Sequence, residues 1–306
     1  MKHVSILAAA LGAAIWAAPA GALPLKFNNA VAPTDVANMD GFAGPAITNA
    51  LSVDFIAVAT DGATTVDARV TAVVDEANTH FATVNDGRRG SRGRKLTGEA
   101  RRGFAPNYYA PNGAAEPNDD LGFLYESLDY GFAGIDLTIA LFDGTGALSG
   151  TFSTPFRAAA VELLIYDVDG EPSQSEFLRV WRADGLAQYQ LGDAPQALTA
   201  TDEGETYLFT GPGTNFDETD ASGALVLRFV DTDQIRLSFG SVANSAGPER
   251  NAVFSAIDGD LSLYDPNAFL DPVDVRSTAV PVPAAGALLL TGLGALAGAG
   301  FARRRG

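Results

Sequence analysis

The stretch Leu225-Val226-Leu227-Arg228-Phe229-Val230-Asp231-Thr232-Asp233-Gln234-Ile235-Arg236-Leu237-Ser238-Phe239 decides the fold class. Leu225, Leu227 and Phe229 fall on one side of an extended chain and Arg228 on the other. That is the two-residue period of a half-buried strand, not the 3.6-residue period of a helix. Working outward, period-two or β-branched runs recur at 51–60, 64–74, 80–84, 135–142, 161–168, 176–182, 186–191, 206–210, 225–230, 234–239 and 253–264. Turn formers such as Asp61-Gly62, Asp143-Gly144, Asp169-Gly170, Asp184-Gly185 and Asp258-Gly259 lie between them, because Asp bonds its own backbone and Gly accepts positive φ. No long amphipathic helix interrupts the series. About eleven short strands predict an all-β fold, an antiparallel β-sandwich of jelly-roll-like type.

Composition narrows the function. The chain has 306 residues, 37 acidic against 20 basic, 47% hydrophobic residues and no cysteine. So much apolar material excludes an acidic disordered tail, and a net charge of −17 argues against nucleic-acid partners. Without cysteine there are no disulfides, thiolate nucleophiles or sulfur-bound zinc. Only two histidines are present, His3 and His80, so a Ser-His triad or a metalloprotease motif has almost nothing to draw on.

The two ends read as address labels. Residues 1–22 open with Lys2 and His3, run apolar through 4–18, and close with Ala20-Gly21-Ala22. This is the pattern of a secretory signal peptide cleaved after Ala22. At the other end, residues 284–302 carry no charge and run into Arg303-Arg304-Arg305. Nineteen residues at about 1.5 Å each make roughly 28 Å of helix, enough to cross a bilayer. Flanking arginines stay cytoplasmic, so residues 303–306 form a cytoplasmic basic tail and everything before the span is exported.

Directly before that span lies Val280-Pro281-Val282-Pro283-Ala284. A short proline motif, an apolar helix and a terminal arginine cluster resemble the PEP-CTERM class of bacterial sorting signals, in its VPLPA form with Val282 in place of leucine. The resemblance covers about residues 280–305. It implies an exosortase-type processing enzyme as partner, a membrane-anchored precursor, and delivery to the cell surface or an extracellular matrix where polysaccharide is a further partner.

Between the ends, the body 23–265 is expected to fold as the sandwich, with 86–120 as a loop insertion and 266–283 as a linker ending in the sorting motif. Within that insertion Arg88, Arg89, Arg92, Arg94, Lys95, Arg101 and Arg102 form a basic cluster, and Asn107-Tyr108-Tyr109 follows as candidate aromatic surface. Catalysis would have to use paired carboxylates, as polysaccharide hydrolases do. Glu126, Asp129, Glu162 and Glu176 are candidates for this alternative, but none shows a diagnostic spacing. A plain structural or adhesive module is the other alternative. Structural calcium fits better than catalysis: Asp167-Val168-Asp169-Gly170-Glu171 sets alternate carboxylates at a strand end where a turn can wrap an ion. Asp258-Gly259-Asp260, Asn118-Asp119-Asp120 and Asp231-Thr232-Asp233 are lesser candidates. The expectation is an exported, non-enzymatic surface or matrix protein.

Overall fold

The computed structural model describes residues 21–31, 36–37, 47–48, 51–74, 79–80, 103–108, 119–127, 132–172, 174–217, 220–243, 252–261 and 263–275. The signal segment 1–20, the basic cluster 88–102, the sorting motif 280–284, the apolar run 284–302 and Arg303–Arg305 lie outside them. Among the described residues no helix is long and apolar enough to cross a membrane.

The alternating runs form strands because each can bury one edge and leave the other to solvent. In chain order the strands are β1 (Ala30–Val31), β2 (Val36–Ala37), β3 (Ile47–Thr48), β4 (Ser52–Asp61), β5 (Thr64–Val74), β6 (Thr79–His80), β7 (Gly103–Tyr108), β8 (Asp120–Ser127) and β9 (Phe132–Asp143). They continue with β10 (Ala158–Tyr166), β11 (Gln174–Trp181), β12 (Leu186–Leu191), β13 (Thr199–Asp202), β14 (Thr206–Thr210), β15 (Leu225–Thr232), β16 (Gln234–Ala243), β17 (Ala252–Asp258) and β18 (Val273–Asp274). One sheet has the order β1-β4-β5-β9-β16-β11-β14-β13, and the other β18-β12-β15-β10-β17-β8-β7-β3-β2, with β6 also on β8. Every strand pairing within them is antiparallel. The body is therefore an all-β domain of two antiparallel sheets, resembling a β-sandwich. From β8 to β13, and again from β14 to β17, the chain alternates between sheets, and β8 pairs β17, β9 pairs β16, β10 pairs β15 and β11 pairs β14.

A single apolar core joins the sheets. Val70, Ile139 and Leu237 from the first sheet share one cluster with Phe123, Leu163 and Leu227 from the second, all at 0% exposure. The rings of Phe123 and Phe239 meet edge-on across the interface at 4.5 Å. Each such fully buried side chain stabilises the fold by about 1.5–3 kcal/mol. A smaller cluster forms on the outer face of the second sheet, where Leu164, Tyr166, Val226 and Ala256 are packed against Leu263, Tyr264 and Phe269.

Two expected boundaries need correction. The segment 86–120 is not wholly a loop: its 103–108 portion is β7, paired to β8 and burying Phe104 and Tyr108. Tyr108, at 3% exposure, therefore offers no binding surface. Nor does the body stop at 265. The following residues run back across it, β18 pairs β12, and Val275 is buried, so the linker can begin only after 275. The expected strand 253–264 ends at Asp258, where that carboxylate turns the chain.

The N-terminal residues cross both sheets. Leu23 N–H donates to Ala160 O and Leu25 N–H to Gly259 O on the second sheet; Lys26 N–H donates to Val58 O on the first, and Ala30 pairs Phe55. Leu25 and Phe27 are buried in the main core. Gly259 is needed at this crossing, since a Cβ there would lie 2.5 Å from Leu25 O.

In β4 a bulge breaks the ladder between Phe55 and Ala59, with Ala57 at φ 53°. Asp67 of β5 holds it. Its carboxylate accepts from Ala57 N–H at 2.8 Å and Gly150 N–H at 2.7 Å while fully buried. Removing it strands two donors, so Asp67→Ala is expected to lower unfolding stability by about 2–3 kcal/mol, read as a lower denaturation midpoint in urea.

Candidate functional site

Side chains of β11 alternate so that Leu178 and Val180 enter the core while Phe177 and Arg179 face out. Gln174 and Glu176 share the inward parity of Leu178, so at the start of the strand a carboxyl enters the space between the sheets, with Glu176 8% exposed. The chain reaches it through the crossover 167–174. There Asp167 takes φ 61° and Gly170 φ 85°, and Glu171 and Gln174 exchange backbone hydrogen bonds at 2.8 Å. This reversal brings Asp167 and Asp169 back beside Glu176, with Tyr125 of β8 against them.

Burial first, and then the charges of Asp167 and Asp169, push the Glu176 carboxyl well above the usual carboxylate range. The Gln174 amide nitrogen donates to it at 3.4 Å. Tyr125 is pushed up as well, by burial and then by Glu176 and Asp167. Asp169 is raised by burial, an effect opposed by the backbone N–H groups of Phe216 and Gly170, which donate to its two oxygens. Asp220, whose carboxylate caps Ser222 N–H at 2.9 Å, adds a further upward push on Asp169. The pair Asp167 and Asp169 singled out in the sequence thus sits within a larger acidic nest. Asp169 spends both oxygens on the amides that hold the crossover. Among the described residues no group of three or more His, Asp or Glu side chains is placed to hold a metal ion.

Two lesser candidates converge at the opposite side of the second sheet. Pairing of Ile257 with Leu121 sets Asp258 beside the start of β8, and Lys26 joins the two turns, its ammonium 2.6 Å from Asp119 Oδ2 and 2.7 Å from Asp260 Oδ2. Asp119 Oδ1 is buried without a hydrogen-bond partner. Tyr166 donates from its hydroxyl to Asp120 Oδ2 at 2.6 Å. Asp258 is 1% exposed and accepts from the N–H groups of Asp260, Leu261 and Leu263 at 2.8, 3.0 and 3.2 Å. Burial nevertheless pushes its carboxyl up to about 7, aided by contact with the Asp260 carboxyl. Contacts with both aspartates raise Lys26 above its ordinary value. Lys26 carries no sequence motif, although the period-two run Leu23-Pro24-Leu25-Lys26-Phe27 is the signal that would have placed it in a pairing segment.

The third candidate, Asp231-Thr232-Asp233, serves an ion pair: Arg157 Nε lies 2.6 Å from Asp231 Oδ1 and its Nη1 3.8 Å from Asp233 Oδ2. Of the hydrolase carboxylates, Glu162 and Glu176 do not converge. Glu162 faces outward from β10, paired with Arg228 across the ladder, whereas Glu176 points between the sheets. The Glu126 side chain, Asp129 and the His80 side chain lie outside the described residues.

No family model and no curated protein matches the chain. Among solved structures it is similar to the N-terminal domain of an adhesin from Streptococcus gordonii, with 11% identity, a TM-score of 0.43, and coverage of 78% of this chain and 63% of that one. The chain thus spans less than two thirds of that structure. It is also similar to carbohydrate-binding modules of the β-sandwich superfamily, described by their promiscuous specificity, with 10% identity, a TM-score of 0.16, and coverage of 68% and 71%. Neither likeness bears on function, and the two-sheet architecture stands on the strand pairing itself.

A neutral isostere separates the electrostatic cost of Glu176 from its packing. A carboxyl raised by folding contributes fully at low pH, and that contribution is lost as pH rises through the folded-state value. Glu176→Gln is therefore expected to raise the melting temperature at pH 8 and leave it nearly unchanged at pH 4, measured by circular dichroism.

Proposed function

We propose that the protein is an exported, non-enzymatic structural or adhesive module, a jelly roll delivered to the cell surface or extracellular matrix. The observation that carries this reading is the use of charge. Among the described residues every lysine and arginine is ion-paired: Lys26 with Asp119 and Asp260, Arg69 with Asp54, Arg157 with Asp231, Arg179 with Glu203, Arg182 with Asp202, Arg228 with Glu162 and Arg236 with Asp184. Several of these join neighbouring strands in register, as Asp54 with Arg69 and Glu162 with Arg228. Exposed pairs are worth about 0–1 kcal/mol each, so they specify strand register and leave stability to the core. Polar chemistry here is spent on architecture. The jelly-roll assignment is supported by the winding of β8–β11 against β14–β17, whose four pairs alternate between the sheets, with β12 and β13 inserted at the tip.

Export rests on the leader ending at Ala20-Gly21-Ala22, and sorting on Val280-Pro281-Val282-Pro283-Ala284 with Arg303-Arg304-Arg305. Two prolines at the motif disfavour regular helix by sequence, which suits recognition by an exosortase-type enzyme at the membrane. Fractionation of cells followed by mass measurement of the mature termini tests this. A surface form beginning at Leu23 and ending near Pro283 is expected, and replacement of both Pro281 and Pro283 by Ala should leave an intact C-terminus in the inner-membrane fraction. Full-length protein confined to the inner membrane in the native strain would overturn the sorting reading.

A second reading, contact with acidic extracellular polysaccharide, is favoured by the same pairing. With the described bases already neutralised, positive charge in excess belongs to Arg88–Arg102, where seven bases accompany one acid, Glu99. Changing all seven to Gln in the full chain should abolish salt-sensitive retention on immobilised alginate. Equal retention of the variant would assign any binding elsewhere.

A further inference from the structure

The N-terminal residues that cross the two sheets are tied to a carboxyl pair, Asp258 and Asp260, of which Asp258 is buried. Leu25 N–H bonds Gly259 O within the Asp258–Asp260 turn, Phe27 N–H bonds Asp119 O at 2.7 Å, and the Lys26 ammonium bridges Asp119 and Asp260. On the far side Lys26 N–H reaches Val58 O, Asn29 O accepts from Ile56 N–H, and Phe27 meets the Phe55 ring at 5.3 Å. One short segment therefore bonds both sheets, and beyond the Leu23 N–H bond to Ala160 O its attachment to the second sheet passes through a cluster of four aspartates with one cation.

We propose that residues 23–31 are a pH-sensitive strap, locked across the sheets while Asp258 and Asp260 share a proton beneath Lys26 and loosened when both carboxyls are ionised.

The groups that face Asp258 come from each packed element. Asp260 touches it within the turn, Lys26 approaches on the strap, Asp119 and Asp120 lie at the start of β8, and Tyr166 on β10 donates to Asp120. Three backbone amides favour the ionised form of Asp258, but burial outweighs them. Once both members of the pair are ionised, Lys26 is one positive charge against Asp119, Asp120, Asp258 and Asp260. Asp119 already holds one buried oxygen without a hydrogen-bond partner, and the new charge adds to those that Lys26 already bridges. Release of the strap admits water to Asp258 and relieves it. The direction follows from proton linkage. A carboxyl raised from 3.8 to about 7 keeps its proton in the closed form between those values, so closure is favoured below about 7 and weakens as pH rises through it. Asp119 is raised by burial and by Asp260, which acts in the same sense.

Native-state hydrogen exchange on the full chain measures this directly. Opening that releases one proton shifts the equilibrium tenfold per pH unit between the open-state and closed-state values and levels off above the latter, so protection of the Leu25, Lys26 and Phe27 amides, corrected for intrinsic exchange, should fall about tenfold from pH 6 to pH 8. Amides in the β9–β16 ladder, such as those of Ile139 and Leu237, should not follow. Asp258→Asn should flatten the dependence and keep the strap protected at pH 8; where that variant fails to fold, Asp260→Asn, which breaks the pair but also removes one Lys26 ion pair, should flatten the dependence at a lower overall protection. Strap protection that is constant from pH 6 to pH 8 in the unaltered protein, or a slope that survives in a folded variant, would overturn the proposal. Neither result depends on export or sorting.

Discussion

Everything in this fold depends on apolar contact between two sheets that no disulfide joins. A body without cysteine cannot recruit disulfides, so the alternating side chains of β5, β9 and β16 must meet those of β8, β10 and β15 closely enough to exclude water. Each inward residue is worth about 1.5–3 kcal/mol, several times the worth of an exposed ion pair. That ratio settles the division of labour. The core supplies stability; the ladder of Arg–carboxylate pairs, Arg69 with Asp54 and Arg228 with Glu162 among them, discriminates one register from a slipped one, which would set Asp54 opposite Ala68 or Val70 and Glu162 opposite Leu227 or Phe229.

The same constraint explains where the carboxyls with raised proton affinity occur. Strand alternation holds in the middle of the sandwich, where Leu163, Leu227 and Leu237 fill the interior. It fails at the rims, where the chain must turn from one sheet to the other and turn-forming aspartates are carried partly inside. Asp169 pins such a crossover, and Asp258 pins the turn that leaves β17, each through backbone amides. Glu176 follows one reversal so closely that its inward parity carries it into the interior. These groups are buried because they shape the turns, and the cost of that burial appears as a tighter hold on the proton.

Much of the architecture was legible as period two. The runs around β4, β5, β9, β10, β11, β12, β14, β15 and β16 match the strands within a few residues. β7 was hidden because Gly103-Phe104-Ala105-Pro106 neither alternates clearly nor avoids proline. It is tolerated because Pro106 sits beside a register shift in the ladder with β8. β8 does alternate at Leu121, Phe123 and Tyr125, yet Asp119-Asp120 and Gly122 give it the composition of a loop. Of the candidate site, Asp167 and Asp169 stood out by spacing alone. Their convergence with Glu176 did not, since it depends on the tight 171–174 reversal. Lys26 was invisible for a stronger reason: its partners lie 93 and 234 residues away, and no local pattern encodes a contact of that range.

That long separation is also what gives Lys26 its consequence. A segment near the start of the chain is tied to a turn near the end of the body and to the opening of β8, so the sandwich is closed between parts that are far apart in sequence. Closing so large a loop costs little more than closing a moderate one, because the entropy grows only with the logarithm of length. The attachment can therefore be held by a few backbone bonds and two ion pairs on top of the buried Leu25 and Phe27. The inner ladders, by contrast, open only with the core. A strap whose apolar anchors are buried but whose polar anchors titrate is the part of this molecule most able to respond to its surroundings while the two sheets stay packed.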